Sequence, residues 1–274
     1  VLSPSPSPPN MKFLHLLSRL TGTPWLITAE ALENITLLIE SRLTAPAALL
    51  PAPDPTPRPA LAPRPGVAVI PIHGVIGKRL SPMEMACGGC DIGELETAFD
   101  AANADPTVSR ILLHVDSPGG TVTGVPELAE KIFNTKTKPV EAISDTLIGS
   151  AAYWLASAAD KITVTPTTQV GSIGAVLQVR ETLDTTSPDG RTRLRVFRSG
   201  PDKFAGADAP LTPEQAATAQ ARVDAIGTMF RTHVQTARPA VQAESMTGQV
   251  YMGREALTRG LANFIAPNLA AAAA

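Results

Sequence analysis

An α/β fold with a largely parallel sheet is predicted by two features of the sequence. From Val67 onward, apolar runs of strand length alternate with segments of helical period. Aromatic residues make up only 4% of a chain that is 44% hydrophobic, so the core has to be built from Val, Ile, Leu and Ala, which suits strands packed under small-faced helices.

The elements follow in order. Val67–Ile72 reads as a strand. Asp91-Ile92-Gly93-Glu94 has the form of a capping box with Asp in place of Ser or Thr. Behind it Ile92, Leu95, Phe99 and Ala102 repeat at helical spacing. Ile111–Val115 is a buried strand, Pro126–Phe133 a helix, Pro139–Ile143 a strand, and Gly149–Ala159 a helix of small residues. Lys161–Thr165 and Leu194–Phe197 read as strands. Thr212–Thr236 is a long helix opened by Leu-Thr-Pro-Glu, an N-cap followed by Pro at the first helical position. Gly253–Arg259 forms a short final helix.

Upstream of this unit, residues 28–43 carry one further helix, with Ile35, Leu37, Leu38, Ile39 and Leu43 in its apolar pattern. Pro at 51, 53, 55, 57 and 59 then rules out helix and central strand, leaving an extended spacer. The expected organisation is an N-terminal extension with a helix over 1–45, a Pro-rich linker over 46–65, the main domain over 66–266 and a low-complexity tail over 267–274. Residues 1–10 are Ser/Pro-rich and have the composition of a disordered tail or an upstream extension. No stretch is long and apolar enough to span a bilayer. The apolar run Met11–Leu17 is interrupted by His15 and followed by Ser18 and Arg19, with no clean cleavage site, so it reads as a short amphipathic segment rather than a signal peptide.

Charge and cysteine content exclude several function classes. A net charge of −2 gives no electrostatic grip on nucleic acid. Cys87 and Cys90 form one Cys-Gly-Gly-Cys, which is no disulfide framework. His15, His73, His114 and His233 are scattered, so no four-ligand zinc site is expected and the cysteines read as incidental loop residues.

Three stretches can carry chemistry. Asp116-Ser117-Pro118-Gly119-Gly120 directly follows a strand, and its glycines let the main chain approach a ligand closely. It equally reads as a plain structural turn. Ser150, in Ile148-Gly149-Ser150-Ala151-Ala152, stands at the start of a small-residue helix, where free N–H groups and a positive potential help a nucleophile. By itself it is also an ordinary N-cap. A serine nucleophile needs a base. The only histidine after Ser150 is His233, inside the long helix, so a lysine becomes the candidate. Lys203 lies in Arg198-Ser199-Gly200-Pro201-Asp202-Lys203-Phe204. A lysine base must be desolvated so that its pKa, about 10.4 when free, falls to about 7–8. A solvated loop lysine is the alternative.

Taken together, DSPGG, GSAAYW, VGSIGA, SGPDK and Gly248–Leu257, in that order, resemble the signal peptide peptidase A family, with its phage prohead and minor capsid protease branch. The resemblance covers about 66–265. It implies a crotonase/Clp-protease-like repeated ββα spiral with a short N-terminal helical segment. It implies a serine peptidase with Ser150 as nucleophile and Lys203 as base, and with Ser172 hydrogen-bonded to the lysine amine. The amides of Gly120 and Ala151 become the oxyanion hole, and Gly119 and Gly149 line the substrate path. No metal or organic cofactor is implied. Phe204 departs from the polar residue often found after the lysine. The membrane anchor of the cellular enzymes is missing. The alanine run 270–274 is too short for a scaffold domain, so a scaffold is expected as a separate chain.

The expected role is a phage or prophage head-maturation protease, cutting capsid or scaffold proteins and assembling as a homo-oligomer. It would work in the bacterial cytoplasm or inside a prohead rather than on a membrane. The competing readings are a cellular signal-peptide-degrading peptidase, a crotonase-type acyl-CoA enzyme and a non-catalytic capsid component.

Overall fold

Strands and helices alternate through the residues described by the computed structural model, 22–44, 64–86, 88–179 and 211–273. The strands are β1 (Trp25–Ile27), β2 (Val67–Gly77), β3 (Gly89–Asp91), β4 (Arg110–Thr121), β5 (Val140–Ser144), β6 (Leu147–Gly149), β7 (Lys161–Val164), β8 (Gln169–Gly171), β9 (Val250–Met252) and β10 (Phe264–Ile265). The helices are α1 (Ala29–Thr44), α2 (Pro82–Ala86), α3 (Ile92–Ala104), α4 (Val125–Thr135), α5 (Ala151–Ser157), α6 (Pro213–Ala237), α7 (Gly253–Thr258) and α8 (Leu269–Ala272). The expected segment Met11–Leu17, most of the Pro-rich linker, the expected strand Leu194–Phe197 and Lys203 lie outside the described residues.

The fold is α/β, as expected. Parallel pairings join β2 to β4, β4 to β5, β5 to β7, β7 to β10, β4 to β6 and β6 to β8. Among the described strands, β1 on β4 and β9 on β8 pair antiparallel, with isolated antiparallel bridges at Trp25–Val176 and Arg64–Val67. The centre of β4 is buried on both faces, which is why it reads as a continuous apolar run. Ile111, Leu113 and Val115 point into the main core, whereas Leu112 joins Ile143, Ala266, Ala272 and Ala273 on the other side. Residues of the stretch assigned to a tail therefore pack against the sheet, and Arg110 donates to the Ala273 carbonyl at 2.8 Å.

Local sequence signals explain the helices. Ile92, Leu95, Phe99 and Ala102 form the buried face of α3, matching the helical spacing. The Asp91 carboxylate caps this helix by accepting from the Gly93 N–H at 2.7 Å. Thr212 and Gln215 complete a reciprocal capping box at the start of α6. All seven residues of α5 are buried. Trp154 of α5 stacks on Phe230 of α6, with ring centres 4.4 Å apart and planes 8° from parallel. This stack packs the short α5 against the long α6.

Two local expectations are corrected. Asp116–Gly120 was expected to leave the strand as a turn, but it continues β4 to Thr121. Backbone pairing overrides the turn preference of Pro-Gly-Gly: Gly119 and Gly120 lie opposite Val75 and Ile76 of β2 on one side and opposite Ile27 and Leu26 of β1 on the other. The small-residue helix begins at Ala151, not at Gly149, because Ile148 and Gly149 pair with Val170 and Gly171 as strand.

Candidate active site

Ser150 sits in the single step between β6 and α5. Its backbone adopts φ 49° and ψ −112°. A side-chain-bearing residue is rarely found there, and holding it costs on the order of 1–3 kcal/mol. The surroundings enforce the turn: the Ser150 N–H donates to Gly171 O at 2.8 Å, and Trp154 N–H donates to Ser150 O at 2.9 Å. The hydroxyl makes no N-capping bond. Its contact is a long one, 3.4 Å to the carbonyl of Gly174. The plain N-cap reading of Ser150 is thereby corrected. The residue is completely buried, with 0% exposure.

The glycines expected around Ser150 are brought to it. A methyl group at Gly119 would lie 3.0 Å from the Ala151 nitrogen and 3.1 Å from Gly149 O, so this strand runs against the start of α5 with no room for a side chain. Gly119 also has φ +104°, in the region that favours glycine. A methyl at Gly149 would lie 3.0 Å from Pro118 O. The Ala151 amide is the first in its helix and has no acceptor within that helix. Gly120 N–H faces β1: Thr28 donates to Pro118 O at 3.0 Å, and hydrogen-bonded pairs in an antiparallel ladder recur every second residue, which makes Leu26 and Gly120 the next bonded pair. The Ala151 amide thus adjoins Ser150 at the helix N-terminus, and the Gly120 amide lies in β4 one residue beyond Gly119, turned toward β1.

Ser172 follows β8 with φ 56°. Its N–H donates to Gln249 O at 2.7 Å. Because Gly171 O and Gly174 O both meet Ser150, the segment carrying Ser172 wraps the same point. Ser172 also lines a surface pocket of about 490 Å³, together with Glu30, Gln249, Tyr251 and Arg259. Ser150, Ser172, Gly119, Gly149 and Ala151 are therefore brought together, Gly120 follows in β4 with Ile76 beside it, and Lys203 is outside the described residues.

Other candidates fall elsewhere. His233 packs on the rings of Phe133 and Trp154, with centroids 6.1 Å away in each case. Its desolvation lowers its pKa. Burial pushes the Cys90 thiol up to about 12, so it behaves as a small apolar core residue. Sequence reasoning missed β1, which lies over the glycine pair. The signal was the apolar trio Trp25-Leu26-Ile27 before the helix start at Thr28.

A strained serine at a strand-to-helix step, with a glycine-rich strand packed against the first residue of the helix, defines an α/β protein with the site of an acyl-transfer hydrolase. The model of peptidase family S49 matches residues 132–273, and the chain belongs to that family. The chain is 32% identical over 202 residues to the capsid assembly protease C of Escherichia phage lambda, covering 72% of this chain and 46% of that protein. It is 31% identical over 203 residues to the head-tail preconnector protein GP5 of Enterobacteria phage P21, covering 72% and 40%. A chloroplastic serine protease SPPA of Arabidopsis thaliana is 25% identical over 200 residues, covering 71% and 30%. The chain thus spans less than half the length of these relatives. Among solved structures, a point mutant of ClpP1 from Listeria monocytogenes is similar with a TM-score of 0.47 and 14% identity, over 75% of this chain and 94% of that one.

Proposed function

We propose that this chain is a serine endopeptidase in which Ser150 is the nucleophile and Lys203 the general base, and that it cleaves capsid or scaffold polypeptides during phage or prophage head maturation. The observation that carries the reading is the conformation of Ser150. A strained backbone and a hydroxyl unused as a cap are what a positioned nucleophile calls for and what a structural serine avoids. The substrate assignment is supported by the two phage relatives.

In the proposed reaction Ser150 Oγ attacks the scissile carbonyl carbon while neutral Lys203 accepts its proton. Lys203 returns that proton to the leaving amine, and water then releases the acyl group. Ser172 holds the lysine amine. The amides of Gly120 and Ala151 meet the developing oxyanion, each donor worth about 2.7–4 kcal/mol in comparable sites.

The test is digestion of an unfolded casein by wild type, Ser150→Ala and Lys203→Ala side by side. Cleavage by wild type with loss in both variants is expected. Equal cleavage by wild type and Ser150→Ala would overturn the assignment of the nucleophile.

A further inference from the structure

We infer that residues Trp25–Thr28 occupy the peptidase's own substrate groove, as a built-in strand that an incoming polypeptide must displace; the inference rests on the reading of Ser150 as nucleophile. Extended peptides bind proteins by adding a strand to an open edge through main-chain hydrogen bonds. Here that edge is filled in cis. β1 runs antiparallel to Gly119–Thr121. On its other side Trp25 exchanges both backbone bonds with Val176, at 2.8 and 2.9 Å, just beyond the segment that wraps Ser150. The strand is thus clamped from both sides of the serine.

Its register gives the occupancy chemical meaning. The Leu26 carbonyl oxygen lies 2.1 Å from the point where a Gly119 methyl would stand, and the Ala151 nitrogen lies 3.0 Å from that same point. Leu26 is also the residue bonded to Gly120. Its carbonyl therefore lies against Gly120 and close to the first residue of α5, next to the step that carries Ser150, and stands in for a scissile carbonyl approaching that serine. This explains the complete burial of both Ser150 and Leu26. It also defines the substrate class: an extended polypeptide with a branched aliphatic side chain at the residue whose carbonyl meets Gly120 N–H.

The strand is built to detach. Trp25, Ile27 and Leu32 form a small cluster with Ala31, Ile35, Val75 and Val176, separate from the main core, which only Leu26 enters. The chain continues from α1 to β2 through the Pro-rich stretch 46–65, whose composition is that of an extended spacer.

The experiment uses the full chain and an acetylated trileucine aldehyde. Ser150 Oγ adds to the aldehyde carbon, and the hydroxyl proton passes to the former carbonyl oxygen, giving a hemiacetal with no other reactant. Amide hydrogen exchange of residues 25–28 is read before and after adduct formation, with Trp25→Ala as a second protein. The expected result is an adduct at Ser150 with at least a tenfold faster exchange of the Trp25 and Thr28 amides, and at least tenfold faster adduct formation in Trp25→Ala. An adduct only in Trp25→Ala also supports the inference. An adduct at Ser150 with residues 25–28 still protected overturns the inference and leaves the peptidase reading standing. No adduct in either protein overturns the peptidase reading, and the inference with it.

Discussion

Replacing each of the two glycines of β4 by alanine separates the roles of the strands on either side. At Gly120 the added methyl would lie 1.9 Å from Ile76 O and 2.6 Å from Ile76 N, backbone atoms of β2 that no rotamer change can move. Overpacking in a core costs typically 1–3 kcal/mol when side chains can adjust. With backbone as the obstacle the loss reaches the top of that range, about 3 kcal/mol. At 2–4 °C per kcal/mol for a chain of this size, the melting temperature falls by roughly 6–12 °C. At Gly119 the methyl meets Leu26 O at 2.1 Å, but that atom belongs to the detachable β1. The cost there is the left-handed backbone, about 1–2 kcal/mol, with small shifts to relieve the 3.0 and 3.1 Å approaches to Ala151 N and Gly149 O, together with release of the strand. Differential scanning calorimetry of the full chain reads both values, and quenching of tryptophan fluorescence by acrylamide reads exposure of Trp25. Gly120→Ala is expected to lose more stability, and Gly119→Ala to gain more accessible tryptophan. A Gly120→Ala protein melting within about 2 °C of wild type would mean that β2 yields to the added methyl, because no side chain is available to absorb the clash.

Two further predictions follow from the site and the core. Ser150→Ala removes no capping bond, so its unfolding free energy should stay within about 0.5 kcal/mol of wild type in a urea titration; a loss near the ~1 kcal/mol typical of a serine N-cap would restore the capping role. His114 and His233 have their pKa values lowered below 6.5 by burial, with Asp145 and Asp116 partly opposing the shift at His114. The unfolded chain therefore takes up protons that the native state refuses, and stability falls as pH drops below about 6.5 until the folded pKa values are passed. Urea midpoints at pH 7.5 and 5.0 check this, and His114→Gln should shrink the difference; identical midpoints at the two pH values would contradict it.

The strands with plain apolar runs and the helices with clear period were legible from sequence. Ile92, Leu95, Phe99 and Ala102 mark the buried face of α3, and Thr212-Pro213 marks the start of α6. What was not legible depends on contacts between distant segments. Pro118-Gly119-Gly120 reads locally as a turn, and only its pairing with Ile76 and Leu26 keeps it extended. The conformation of Ser150 is set by a bond to Gly171 and by the neighbouring β8, neither of which leaves a signature in the residues beside the serine. β1 is three residues long, too short for alternation to show, and its partners are nearly a hundred residues away in sequence or more. Ser150, Ser172 and the glycines stand in recognisable strings of small residues, whereas the geometry around them depends on those distant pairings.

Treating the full chain with a fluorophosphonate and mapping the modified residue by peptide mass spectrometry shows whether Ser150 is the nucleophile. A single adduct is expected on the peptide containing Ser150, absent from Ser150→Ala. An adduct on another serine, or equal labelling of the variant, would contradict it.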